Sequence, residues 1–265
     1  MLFDPIVMTI FDFLRDGVMY ENVAKVYDRL MSEIDYDAWY LRYRSLMELS
    51  RPMRRVVEIG CGTGNFTSRF IRDYDVHAVD NSISMLEIAK SKRALFPRGH
   101  ALTFEQADMA CFEGNGEKFD AAVAIFDVMN CALDVETLER VCVHVASQLR
   151  RGGRFLFDVN TETAFRMRLF DEEYEDVSSG YSHVWRGEYD PVTRLEHITM
   201  KYYRDGVFWF SEQQTQRAHD AKEIRHAMRH AGFERIEIDD AQTMTRGTSL
   251  NDRWMVSGSL KDNGA

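Results

Sequence analysis

Val56-Val57-Glu58-Ile59-Gly60-Cys61-Gly62-Thr63-Gly64-Asn65-Phe66 is an apolar, β-branched run that breaks into three glycines at alternate positions. Glycine lets the backbone adopt a positive φ and approach a ligand with no Cβ in between. The helix expected from about Phe66 would turn free N–H groups toward the same point. The stretch reads as a strand, a nucleotide-cofactor turn and a helix. Its spacing differs from the dinucleotide fingerprint, in which the third glycine falls one residue later and a pyrophosphate sits on the helix N-terminus. Glu58, an acid at the strand end, would repel a pyrophosphate and suits a cofactor with cationic groups.

Further strands follow outward from that turn. His77-Ala78-Val79-Asp80 ends in a carboxylate about twenty residues beyond Gly60, the spacing at which an acid takes ribose hydroxyls in dinucleotide sites. Leu102 to Gln106 leads to the pair Asp108-Met109, and Phe119 to Ile125 is nearly all apolar before Phe126-Asp127, as a parallel strand buried on both faces should be. Leu149 to Asp158 carries a Gly152-Gly153 turn into a fifth strand. A helix over 220–231, stopped by Gly232, precedes strands at Arg235–Ile238 and Trp254–Ser259.

These segments, in this order, resemble the class I S-adenosylmethionine methyltransferases, with the glycine turn as motif I. The resemblance implies an α/β fold: a Rossmann-like seven-stranded sheet, six strands parallel and one antiparallel, with S-adenosyl-L-methionine as cofactor. It implies cofactor contacts at Glu58, Gly60, Gly62, Asp80, Asn81 and Ile125, with Asp108 taking the adenine amino group and Met109 flanking the ring. The segment Tyr20–Asp28 with Asp35–Trp39 is similar to helices that cover the cofactor in small-molecule methyltransferases, which makes Tyr27 and Tyr36 candidates for its methionine end.

Residues 1–50 read as this helical cover, and 51–170 with 218–265 as the core. Residues 181–217 alternate as three antiparallel strands, with turns at Asp190-Pro191 and Asp205-Gly206, so 171–217 forms an inserted substrate cap. The plan is similar to that of the sugar N,N-dimethyltransferases. Candidate catalytic groups are Asp127 and Asp158, after strands four and five, and His183 from the cap; Asn160, Tyr181 and Arg217 are candidates for holding the substrate. Related chains often have a histidine within the Glu212–Arg217 stretch, and this one has none. N-methylation is therefore favoured over O-methylation, since an amine attacks without a base.

The formal net charge of −10, with no basic stripe, points to a small-molecule acceptor rather than nucleic acid. RNA or protein methylation, or a catalytically silent cofactor-binding subunit, remain as alternatives on the same core. No metal is expected from Asp127 and Asp158 alone. Cys61, Cys111, Cys131 and Cys142 show no paired spacing. Absence of a long apolar run or a leader pattern places the chain in the cytoplasm and off the membrane. Leu2 to Leu14, apolar at helical spacing, is a candidate homodimer contact.

Overall fold

The computed structural model describes residues 22–47 and 54–262, so the helix expected over Leu2–Leu14 lies outside the described residues. The strands are β1 (Arg55–Ile59), β2 (Asp75–Asp80), β3 (Leu102–Gln106), β4 (Phe119–Ala124), β5 (Leu149–Asn160), β6 (Glu172–Asp176), β7 (Tyr181–Asp190), β8 (Leu195–Arg204), β9 (Val207–Arg217), β10 (Phe233–Asp240) and β11 (Arg253–Leu260). The helices are α1 (Ala24–Leu30), α2 (Tyr36–Met47), α3 (Thr67–Phe70), α4 (Ile83–Ser91), α5 (Val135–Gln148), α6 (Glu162–Arg166) and α7 (Ala221–His230).

The main sheet has the order β10-β11-β5-β4-β1-β2-β3, with β11 antiparallel to both neighbours and the other pairs parallel. β4 lies at its centre, and all six of its residues are buried, because helices cover both faces of a parallel sheet. On one face α5 and α7 pack through Leu138, Val141, Cys142, Val145, Ile224 and Met228; on the other, Tyr36, Tyr40, Tyr43 and Met47 of α2 join Phe70 of α3. The buried positions of α5 recur every three or four residues, which puts them on one stripe. Asp134 caps that helix by accepting from Thr137 N–H at 2.6 Å, and Asp220 with Glu223 forms a capping box on α7. At the Gly152-Gly153 turn φ is +68° at Gly152, and a Cβ on Gly153 would lie 2.7 Å from the Arg150 carbonyl.

A second, antiparallel sheet has the order β6-β7-β8-β9. Its Asp205-Gly206 turn has φ of 51° and 75°, the two left-handed residues of a type I′ hairpin. Alternate residues of β8, namely Glu196, Ile198, Met200 and Tyr202, are buried; the apolar three belong to a cluster with Val23, Val26 and Met85. The sheet has four strands where the sequence reads as three. β6 is Glu-Glu-Tyr-Glu-Asp with four of its five residues exposed, so it lacks the alternation that marks a half-buried strand; carboxylates suit an exposed edge.

The end of β9 is pinned to the turn after β4. Asn130 Nδ2 donates to the carbonyls of Asn160 and Arg217, each at 2.9 Å, and its Oδ1 accepts from Asn160 N–H. His219, 1% exposed, bonds the Ala132 carbonyl through Nε2 at 2.8 Å and faces Arg217 through Nδ1. Burial, with the Arg217 charge behind it, lowers its pKa to about 4.

Candidate active site

A cavity of about 370 Å³ opens at the carboxyl ends of β1, β2 and β4, where ligands sit in open α/β sheets. Gly60, Gly62, Asp80, Asn81, Asp108, Met109, Ile125 and Asp127 line it from the core, Tyr27 reaches it from α1 and Gln214 from β9. Gly60 and Gly62 have φ of +71° and +53°. A Cβ on Gly60 would lie 2.4 Å from Val128, so only glycine lets the turn after β4 close against this loop; a Cβ on Gly62 would meet only the Tyr27 ring, at 3.8 Å.

Asp80 Oδ2 accepts from Gly62 N–H at 2.7 Å, and its Oδ1 accepts from Ser82 N–H at 2.8 Å. The two bonds tie the end of β2 to the glycine turn and to the start of α4. Burial raises the pKa of Asp80, against the pull of the two N–H groups. Across the cavity, Phe126 and Asp127 both have left-handed backbones, with φ of 63° and 52°. For bulky non-glycine residues that conformation is strained and is found where surroundings over-determine it.

Other sequence candidates lie off this cavity. Glu58 is 2% exposed beneath the glycine turn, where it accepts from Thr67 Oγ1 at 2.6 Å, and burial raises its pKa to about 8. The negative field in the cavity comes from Asp80, Asp108 and Asp127 instead. Tyr36 packs edge-on against Phe66 and accepts from Asn65 Nδ2, with burial pushing its hydroxyl up to about 12. Asp158 is fully buried: it accepts from Tyr43 Oη at 2.7 Å, from the N–H groups of Phe126 and Asp127, and from Arg253. Asn160 is engaged with Asn130 and Gln216, and Arg217 with Glu223. Tyr181 and His183 are buried in the second sheet, and burial lowers the pKa of His183. Among the described residues neither ring nitrogen of His183 has a hydrogen-bond partner, although the Glu172 carboxylate stands 3.6 Å from Nε2.

Ser82, Met85, Val128, Cys131 and Gln214 line the cavity without having been singled out in sequence. Ser82 is the N-cap of α4, a signal legible in a serine just before an apolar run. Gln214 lies in the stretch notable for lacking a histidine. Cys131 carries no such signal; burial pushes its thiol up to about 12.

Among the described residues that line the cavity, three are aspartates and none is Lys, Arg or His. This acidic wall, without a cationic side chain among the described lining residues and with an open approach at Gly62, fits a cofactor that carries sulfonium, amino and ribose hydroxyl groups.

Residues 56–153 match the family model of the methyltransferase domain. The chain carries a methyltransferase domain. A Bacillus subtilis (strain 168) protein named as a methyltransferase, YqeM, is 25% identical over 241 residues, covering 89% of this chain and 95% of its own. An S-adenosylmethionine-dependent methyltransferase from Clostridium acetobutylicum superposes with a TM-score of 0.76 at 23% identity, over 92% of this methyltransferase and 99% of that chain. The sugar N-methyltransferase KedS8 from Streptoalloteichus superposes at 0.74 and 20% identity, over 96% and 99%. These likenesses in fold agree with the sheet order of this chain. No described helix is long and apolar enough to cross a membrane.

Proposed function

We propose that this methyltransferase acts on the nitrogen of a small molecule, with residues 171–217 as the cap that selects it. The observation that carries the reading is the cavity wall: three aspartates, no cationic side chain among the described lining residues, and Gln214 of the second sheet closing it. S-adenosylmethionine, when bound, supplies an electrophilic methyl group on a cationic sulfur. Asp80 and Asn81 would hold the ribose, Asp108, Met109 and Ile125 the adenine, and Gly60, Gly62 and Tyr27 the methionine end. Asp127 stands on the opposite wall, toward the cap. No histidine is among the described lining residues to deprotonate a hydroxyl, whereas a neutral amine attacks unaided and gains most from being held in line. The similar fold of KedS8, a sugar N-methyltransferase, supports the same choice.

Calorimetric titration with S-adenosylmethionine and S-adenosylhomocysteine tests the cofactor assignment: the wild type binds both, and Asp80→Ala loses both. A panel of amines and matched alcohols, followed by mass spectrometry, then tests the acceptor. A folded wild type that binds neither nucleoside would end the cofactor reading, and turnover of alcohols alone would end the N-methylation reading.

A further inference from the structure

The Asp127 carboxylate is gripped from two sides by segments far apart in the chain. Arg253 Nη2, at the start of β11, donates to Oδ1 at 3.0 Å; Gln216 Nε2, near the end of β9, donates to Oδ2 at 2.6 Å. Neither donor is free to turn. Gln216 is fully buried, and its Oε1 accepts from Asn160 Nδ2 at 3.3 Å. Arg253 is held by Asp158, and the Asp127 and Asp158 charges raise its pKa against the effect of burial. The backbone beneath Asp127 is fixed as well, since Asp158 accepts the N–H groups of Phe126 and Asp127 at 2.8 and 3.1 Å and keeps both residues left-handed.

A carboxylate has about four lone-pair sites, so two donors leave capacity for a third, and Asp127 lines the cavity. Gln214 Nε2, in the same wall, points away to Cys131 Sγ at 3.8 Å. A left-handed turn and a carboxylate locked in direction, with lone pairs left over on a cavity wall, describe a fixed acceptor for a ligand N–H.

We propose that Gln216 and Arg253 are positioning residues that aim Asp127 at the acceptor nitrogen, and that the acceptor is an amine whose N–H the Asp127 carboxylate receives. This rests on the N-methylation reading above. In the transfer, the amine lone pair forms the N–C bond while the methyl–sulfur bond breaks and its electron pair stays on sulfur. The nitrogen becomes cationic, keeps its protons through the step and loses one to water after release. Asp127 takes no proton; it lies against the charge as it develops, and its donors spare it any reorganisation at that moment.

Sinefungin tests this without knowledge of the acceptor, because a carbon replaces its sulfur and an ammonium on that carbon stands where the transferable methyl would be, facing the acceptor site. The readout is the ratio of S-adenosylhomocysteine to sinefungin dissociation constants, measured by calorimetry on the full chain. The wild type is expected to prefer sinefungin tenfold or more. Asp127→Asn should bring the ratio to within twofold of unity with S-adenosylhomocysteine affinity unchanged, which also shows that the variant is folded. Gln216→Met, which keeps side-chain length and removes the donor, and Arg253→Lys should each cut the ratio threefold or more, again without changing S-adenosylhomocysteine binding. If Arg253→Lys does not fold, Gln216→Met decides alone. A wild-type ratio near one, or a preference that survives Asp127→Asn, overturns the amine clamp; a wild-type ratio in Gln216→Met overturns the positioning role. All of these leave S-adenosylhomocysteine binding intact, so they are distinct from failure of the cofactor reading.

Discussion

The glycine-turn region and the second sheet each bury a carboxyl group, and they treat it differently. Glu58, 2% exposed, receives a hydroxyl hydrogen bond from Thr67, nine residues along the chain. Glu196, with no exposure, has no hydrogen-bond partner at either oxygen among the described residues, and a Cβ on Gly187 would lie 1.9 Å from its Oε1. Burial raises both, Glu58 to about 8 and Glu196 to about 7. In the first region a polar group finds its partner within a short stretch that folds as one motif. In the second, neighbours are set by pairing between strands, and glycine supplies room where no partner is supplied. The glycine-turn region is thus built by local sequence and the second sheet by tertiary register.

The largest effect expected from that contrast is on cofactor binding. Asp80→Ala removes the acceptor for both Gly62 and Ser82 N–H and should weaken S-adenosylhomocysteine about 100-fold, as loss of charge-assisted bonds in a buried site implies. Glu196→Leu should leave the same constant within about twofold, since changes this far from shared partners seldom couple. A large loss in the second variant would break the contrast.

Next comes the pH dependence of stability. A carboxyl whose pKa is raised by folding is protonated more readily in the native state, so its contribution is most favourable below the unfolded value. It becomes a growing penalty as pH rises through the folded value. For Glu58 that window runs from 4.5 to about 8, and for Glu196 from 4.5 to about 7. Glu58→Gln should therefore stabilise the protein at pH 9 by on the order of 2–4 kcal/mol, and Glu196→Gln by less, with both gains gone at pH 4. Urea denaturation at the two pH values reads this directly.

Two glycines with left-handed backbones sharpen the contrast further. Gly60→Ala meets Val128 at 2.4 Å, whereas Gly206→Ala meets nothing within 4 Å. The first should cost about 3 kcal/mol, combining backbone strain and a clash, and the second about 1 kcal/mol from strain alone; thermal melts and urea titrations measure both. Smallest is Asp220→Ala, which removes the capping box of α7 and should cost about 1 kcal/mol wherever cofactor affinity is left unchanged.

The seven strands of the main sheet, their order of use and the residues at the glycine turn were legible because each rests on short-range chemistry: alternate glycines, apolar runs and a carboxylate at a strand end. β6 was not, since an edge strand of Glu and Asp has no buried face to imprint a period. The place of Asp158 after strand five was legible, but position along a strand does not say what covers a side chain. Tyr43 and Arg253 meet Asp158 there, while Asn130 and Gln216 meet Asn160. For Tyr181 and His183 the strand was legible; that both side chains are buried, with Arg29 over the Tyr181 ring, follows only from how the sheet and α1 pack. Gln214 and Gln216 became visible as neighbours of the cavity only once β9 was laid beside β8.

Asp158 joins three parts of the molecule at one carboxylate: Tyr43 of α2, the Phe126–Asp127 turn and Arg253 of β11. The amide protons of that turn cannot meet solvent while the helix and the strand keep hold of the same oxygens. Opening is then shared, so the Phe126 and Asp127 amides should exchange with deuterium at the same free energy as the middle of α2. A ligand seated above them would slow all three together.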